Sequence, residues 1–158
     1  MSPRARAWVR MIAVGVAVIA LDQVVKAAIV ASMAPGERTD LALGFDLTRV
    51  MNSGIAFGLF SNGGDALVVL FTSAAMALIL GWFALDTTRP WLWLGVGLLS
   101  GGALGNLADR VRDGAVTDFF DPPLWPAFNL ADVAITAGVF VIALAALAPA
   151  GAEPASEP

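Results

Sequence analysis

Residues 66–85 read ALVVLFTSAAMALILGWFAL, twenty positions between Asp65 and Asp86 without a single charge. At about 1.5 Å per residue such a helix reaches roughly 30 Å, the thickness of a bilayer's hydrocarbon core. A second uncharged run of the same length, VAITAGVFVIALAALAPAGA, lies between Asp132 and Glu153. The whole chain of 158 residues is 58% hydrophobic and 14% charged, too little polar surface to cover a soluble globule of that size. These runs predict membrane-spanning helices.

Two further spans flank them. Pro90 opens WLWLGVGLLSGGALGNLA, whose tryptophans suit a membrane interface and whose Gly101, Gly102 and Gly105 would admit another backbone closely. The first span contains Asp22 and Lys26, four apart and in the acid-before-base order that sets them side by side on a helix. The pair reads either as an ion pair locking helix packing or as a functional site within the membrane. The apolar part of this span is too long for a cleaved signal peptide, so it is expected to stay. The expected architecture is an all-α polytopic membrane protein with four spans, at about 9–31, 66–85, 90–108 and 132–150. Extracytoplasmic segments are expected at 32–65 and 109–131, with a disordered tail over 151–158.

Arg4, Arg6 and Arg10 precede the first span and favour a cytoplasmic N-terminus, which with four spans puts both termini on that side. The remaining basic residues do not decide it. Arg89 falls inside, whereas Arg38, Arg49, Arg110 and Arg112 fall outside. Within 32–65, the alternating run LALGFDLTRV at 41–50 predicts strand or hairpin, a small β-like cradle on the membrane surface.

The unusual polar residues gather on the extracytoplasmic side. Five aspartates lie within the twenty-four residues from Asp109 to Asp132, at the edge of a bilayer where ionised carboxylates are costly. The chain has no histidine and no cysteine, so proton transfer would fall to Asp, Glu or Lys, and thiolate metal sites and disulfides are excluded. No metal or other cofactor is expected, and with a net charge of −4 and no basic run, no nucleic-acid partner is expected. NSGIAFG at 52–58 suits a tight turn in which Asn52 bonds a backbone or carboxylate group and Gly54 permits close approach. Asn106, Asp109 and Arg110 present an amide, a carboxylate and a guanidinium near one helix end.

Asp118 in VTDFFD and Asp132 in FNLAD admit two readings. They are a turn residue and a helix N-cap, or they face each other across the return loop as a carboxylate pair sharing one proton. In that second reading one carboxylate deprotonates water and the other protonates the scissile carbonyl.

The ordered set LDQVVK (21–26), NSGIAFG (52–58), GGALGNLADRV (101–111), VTDFF (116–120) and FNLADVAI (128–135) resembles bacterial lipoprotein signal peptidase, or signal peptidase II. The resemblance covers nearly the whole chain. It implies an aspartic endopeptidase of the bacterial inner membrane that cuts prolipoproteins just before a diacylglyceryl-modified cysteine. It places the catalytic pair at Asp118 and Asp132, with Asp22, Lys26, Asn52, Gly54, Asn106, Asp109, Arg110 and Asn129 as substrate-binding or supporting positions. It also implies a globomycin-like peptide inhibitor in the same cleft. The loop over 121–127 is short for the family. The alternative from the residues alone is a small proton- or ion-conducting membrane protein with an acidic relay, which the collection of acids at one interface disfavours.

Overall fold

The computed structural model describes residues 1–53 and 64–148, with side chains in the second stretch from Val69 onward. Gly54, most of the NSGIAFG segment and the 151–158 tail lie outside the described residues. The chain is mostly helical with one small antiparallel sheet. In order the elements are α1 (Pro3–Ser32), β1 (Arg38–Ala42), β2 (Phe45–Asn52), α2 (Gly64–Leu85), α3 (Leu92–Asp113), β3 (Val116–Asp121) and α4 (Leu130–Leu147).

Local sequence explains several of the boundaries. Ser2 accepts from the Ala5 N–H at 3.2 Å and Pro3 opens α1, a favourable cap and first residue. Helix α3 begins at Leu92, not Pro90, and continues past the expected end at 108 to Asp113. The charged residues there leave helical geometry intact, and Gly114 stops it with φ 71°, its N–H bonding the Arg110 carbonyl. Helix α1 extends beyond the expected 9–31 at both ends.

The helices pack through small residues. On α3, Gly97 and Gly101 face α1, while Gly95 faces α4 across from Gly138 and Gly102 faces it at Ala131. A β-carbon on Gly101 would sit 2.7 Å from the Gly15 carbonyl oxygen. Phe83, Leu92 and Val96 are buried in one apolar cluster, but many other large apolar side chains point the other way. Val9, Ile12, Val16 and Val24 on α1, Phe71 and Leu78 on α2, and Val139, Phe140 and Leu144 on α4 are all exposed. Among the described residues, α1 and α4 carry apolar stretches long enough to cross a membrane. The polar end of α3 lowers its average.

The sheet runs β1-β2-β3, antiparallel throughout. Leu43 and Gly44 both have positive φ, 57° and 80°, as a two-residue hairpin turn of the primed type requires. The third strand was not expected: the 109–131 segment contributes β3, which pairs with β2. Phe119 packs with Ile29 and Met33 at the end of α1 and anchors the sheet to the bundle.

Gly101→Ala is expected to destabilise the protein by about 1–3 kcal/mol, because the methyl group meets rigid backbone. Gly81→Ala, with nothing within 4 Å of the new carbon, should be neutral to stabilising by up to about 1 kcal/mol. Thermal unfolding in detergent checks both.

Candidate active site

Asp118 and Asp132 line one cavity of about 400 Å³, together with Asn52, Asn106 and Arg110. Asp118 comes from the middle of β3, so it is a strand residue and not part of a turn. Along a strand successive side chains alternate. Phe119 therefore turns into the apolar cluster while Asp118 turns to the cavity. On β2, Val50 lies opposite Asp118, and Asn52, two residues on, reaches diagonally across. Its Nδ2 donates to Asp118 Oδ2 at 2.9 Å.

Asp132 enters from the first turn of α4. The N-cap there is Asn129, and Asp132 stands three residues later, completing a capping box. Asn129 Oδ1 accepts from the Asp132 N–H at 3.0 Å, and Asp132 Oδ2 accepts from the Asn129 N–H at 3.2 Å. With its oxygen so engaged, Asn129 turns Nδ2 inward, donating to Asp118 Oδ1 at 2.7 Å and to Asn106 Oδ1 at 3.1 Å. One residue thus holds both carboxylates.

Beneath lies a buried charge cluster. Lys26 Nζ is 2.8 Å from Asp22 Oδ2, 2.7 Å from Asp109 Oδ2, and donates to Asn106 Oδ1 at 2.9 Å. An ammonium has no acceptor. The Asn106 oxygen is therefore turned to Lys26, and its Nδ2 donates to Asp132 Oδ1 at 2.9 Å. Asp22 Oδ1 also accepts from the Ala131 N–H at 3.0 Å, an otherwise unbonded amide in the first turn of α4. So Asp22, Lys26 and Asp109 stand behind the cavity and reach it through Asn106 and α4.

Gln23 and Arg112 were not singled out from sequence. Gln23 Nε2 donates to Asp109 Oδ1 at 2.8 Å, and Arg112 donates to Gln23 Oε1 at 3.0 Å. Gln23 sits beside Asp22 within LDQVVK, but nothing local pointed to a partner on α3. Arg110 is half-buried on the cavity wall, and its Nε has no partner among the described residues.

Burial raises the Asp118 carboxyl to about 6, helped by the charge of Asp132 and opposed by the amides of Asn52 and Asn129. Two acids in different surroundings, meeting at one cavity, can divide the roles of proton donor and acceptor.

The family model for signal peptidase (SPase) II matches residues 14–148. The chain belongs to the signal peptidase II family. It is 44% identical over 131 residues to the lipoprotein signal peptidase of Pelotomaculum thermopropionicum, covering 82% of this chain and 86% of that one. With the lipoprotein signal peptidase of Moorella thermoacetica it shares 42% over 135 residues, covering 85% and 90%. A solved bacterial membrane enzyme, determined in meso at 2.3 Å resolution, superposes with TM-score 0.76 at 30% identity, covering 87% of each chain. A second such structure, at 1.9 Å resolution, gives 0.75 at 29%, covering 87% of this chain and 92% of the other. Signal peptidase II is a peptidase family, and the membrane-enzyme neighbours agree with the apolar exterior of an integral membrane protein.

Lys26→Met is expected to cost about 3–5 kcal/mol, since it leaves Asp22 and Asp109 buried without their cation. Denaturant titration of the purified variant measures this. A variant as stable as the parent would show that the cluster does not hold the helices.

Proposed function

We propose that this protein is a membrane-embedded aspartic endopeptidase that removes signal peptides from prolipoproteins, cutting immediately before the diacylglyceryl-modified cysteine. The observation that carries this reading is the convergence of Asp118 and Asp132 on one cavity, with Asn129 bonded to both. Family membership supports the substrate class.

Asp118, nearly enclosed and raised to about 6, carries the shared proton. Asp132 receives N–H donors from Asn106 and Asn129 at the positive end of α4, surroundings that suit a carboxylate. Asp132 takes a proton from water as the water oxygen bonds to the scissile carbonyl carbon, and Asp118 gives its proton to the carbonyl oxygen. The tetrahedral intermediate then collapses. Its C–N bond breaks, the leaving nitrogen takes the proton held by Asp132, and a hydroxyl proton returns to Asp118 as the carboxyl product forms. Arg110 and Asn52, on the cavity wall, hold the substrate backbone, while Asn106, Asn129, Asp22, Lys26 and Asp109 fix the pair. Gly54 belongs to the same set by its motif. A globomycin-like peptide would occupy this cavity.

In this reading all four helices cross the bacterial inner membrane, with both termini cytoplasmic, the sheet on the outer surface and the cavity at the extracytoplasmic face. The exposed apolar faces of α1, α2 and α4 support it, as do the arginines in the first turns of α1.

The test is cleavage of a diacylglyceryl-modified precursor by the purified protein in detergent. Asp118→Asn and Asp132→Asn should each reduce turnover by more than about 1,000-fold while membrane insertion and melting stay intact. Near-normal turnover by either variant would remove that residue from the mechanism.

The pH profile is a separate check. Asp118 is raised above its ordinary value, so its proton persists through the acidic range and is lost as pH rises through about 6. Accordingly kcat/KM falls on that rise, with an apparent value that belongs to the pair. Asn52→Ala removes an amide that pulls the Asp118 value down, so the falling limb moves to higher pH. A limb that stays in place, or moves to lower pH, counts against Asp118 as the acid.

A further inference from the structure

At the end of the bundle away from Asp118 and Asp132, a second cavity of about 350 Å³ opens between the start of α1 and the α2–α3 connection. Arg6 and Arg10, one helical turn apart on α1, line it together with Arg89, Trp91 and Trp93.

The arginines at this end are used differently. Arg89 pairs with Asp86 at 2.8 Å and donates to the carbonyls of Ala145, Ala146 and Ala148 at 3.4, 3.2 and 3.1 Å, where α4 ends. Arg4 donates to the Ala84 carbonyl at 2.7 Å near the end of α2. Both satisfy carbonyls that a helix terminus leaves open. Arg6 and Arg10 do no such work. Both are exposed, and among the described residues neither is paired with a carboxylate. Arg10 lies over the Trp93 ring at 5.6 Å, which orients its guanidinium without neutralising it. Asp86, the one acid on the connection, is already matched to Arg89. Among the described residues the cavity thus has two guanidinium groups without a carboxylate partner, whose planar forked donors fit the oxygens of a phosphate.

Free phosphate and a lipid headgroup share that chemistry. The walls decide between them. Trp91 is 58% exposed beside the arginines, and Ala7, Pro90 and Trp93 add further apolar lining. Tryptophan favours the depth of lipid headgroups, and these apolar surfaces offer glycerol and the first methylenes a place that inorganic phosphate cannot use. We propose that this cavity binds the phosphate of an anionic phospholipid, held by Arg6 and Arg10. The orientation proposed above puts it in the inner leaflet, but the binding itself does not depend on that orientation or on the peptidase reading.

The experiment uses the full-length protein in neutral detergent, titrated in turn with phosphatidylglycerol, phosphatidylcholine and inorganic phosphate. Thermal unfolding and native mass spectrometry are the readouts. Phosphatidylglycerol is expected to raise the melting temperature and remain bound, at least about tenfold more tightly than phosphatidylcholine, given the attraction contributed by each basic residue. Arg6→Gln/Arg10→Gln should melt as the parent does with phosphatidylcholine and lose the preference for phosphatidylglycerol. If that double variant melts low, the two single variants carry the comparison, each expected to lose part of the preference. Arg38→Gln, on the sheet at the other end, should keep all of it. Equal binding of the two lipids, full retention by the arginine variants, or the same shift from inorganic phosphate alone would overturn the proposal. Asp118→Asn should bind phosphatidylglycerol as the parent does, which separates this result from any failure of the peptidase assay.

Discussion

One buried ammonium organises this protein. Lys26 on α1 holds Asp22 on its own helix and Asp109 on α3, and it fixes the direction of the Asn106 amide. Asp22 in turn binds the first turn of α4. Three helices are therefore tied at one level, just behind the cavity. Such clusters add little net stability because desolvation offsets the attraction, yet they are unforgiving of the wrong arrangement. What this cluster supplies is register: α1, α3 and α4 meet in the alignment that faces Asn106 toward Asp132.

Everything else about the bundle follows from inverting the usual distribution of side chains. Glycines and paired polar groups occupy many of the helix contacts, with one apolar cluster around Phe83, Leu92 and Val96, while many other valines, leucines and phenylalanines face outward. In lipid there is no hydrophobic gain from hiding leucine, so association relies on close packing and internal hydrogen bonds. Helix α3 carries most of this burden, packing against α1, α2 and α4. It has the glycines on two faces and also the polar cluster at its end.

The helices were legible because length and lack of charge over 66–85 and 133–152 leave few alternatives. The β1–β2 hairpin was legible from alternation at 41–50. Strand β3 was not: its first four residues are buried on both faces, so VTDFFD lacks alternation, and its partner lies far away in sequence. For the site, the Asp22–Lys26 pair could be read because four residues is one helical turn. The links from Lys26 to Asp109 and from Asp22 to Ala131 could not, since no local pattern encodes contacts between helices. Asp132 as an N-cap was a near miss, with Asn129 taking that position and Asp132 the reciprocal one. Motif resemblance singled out residues that the fold gathers around one cavity, and geometry then separated those lining it from those behind it.

Asn129 also couples two structural layers. Its side chain grips Asp118 and its backbone grips Asp132, while neighbouring Phe128 exchanges backbone hydrogen bonds with Phe120 at 2.8 and 2.9 Å. Strand β3 and the start of α4 are thus riveted into one piece. Any tilt of α4 would therefore carry both acids as a unit and preserve their mutual spacing.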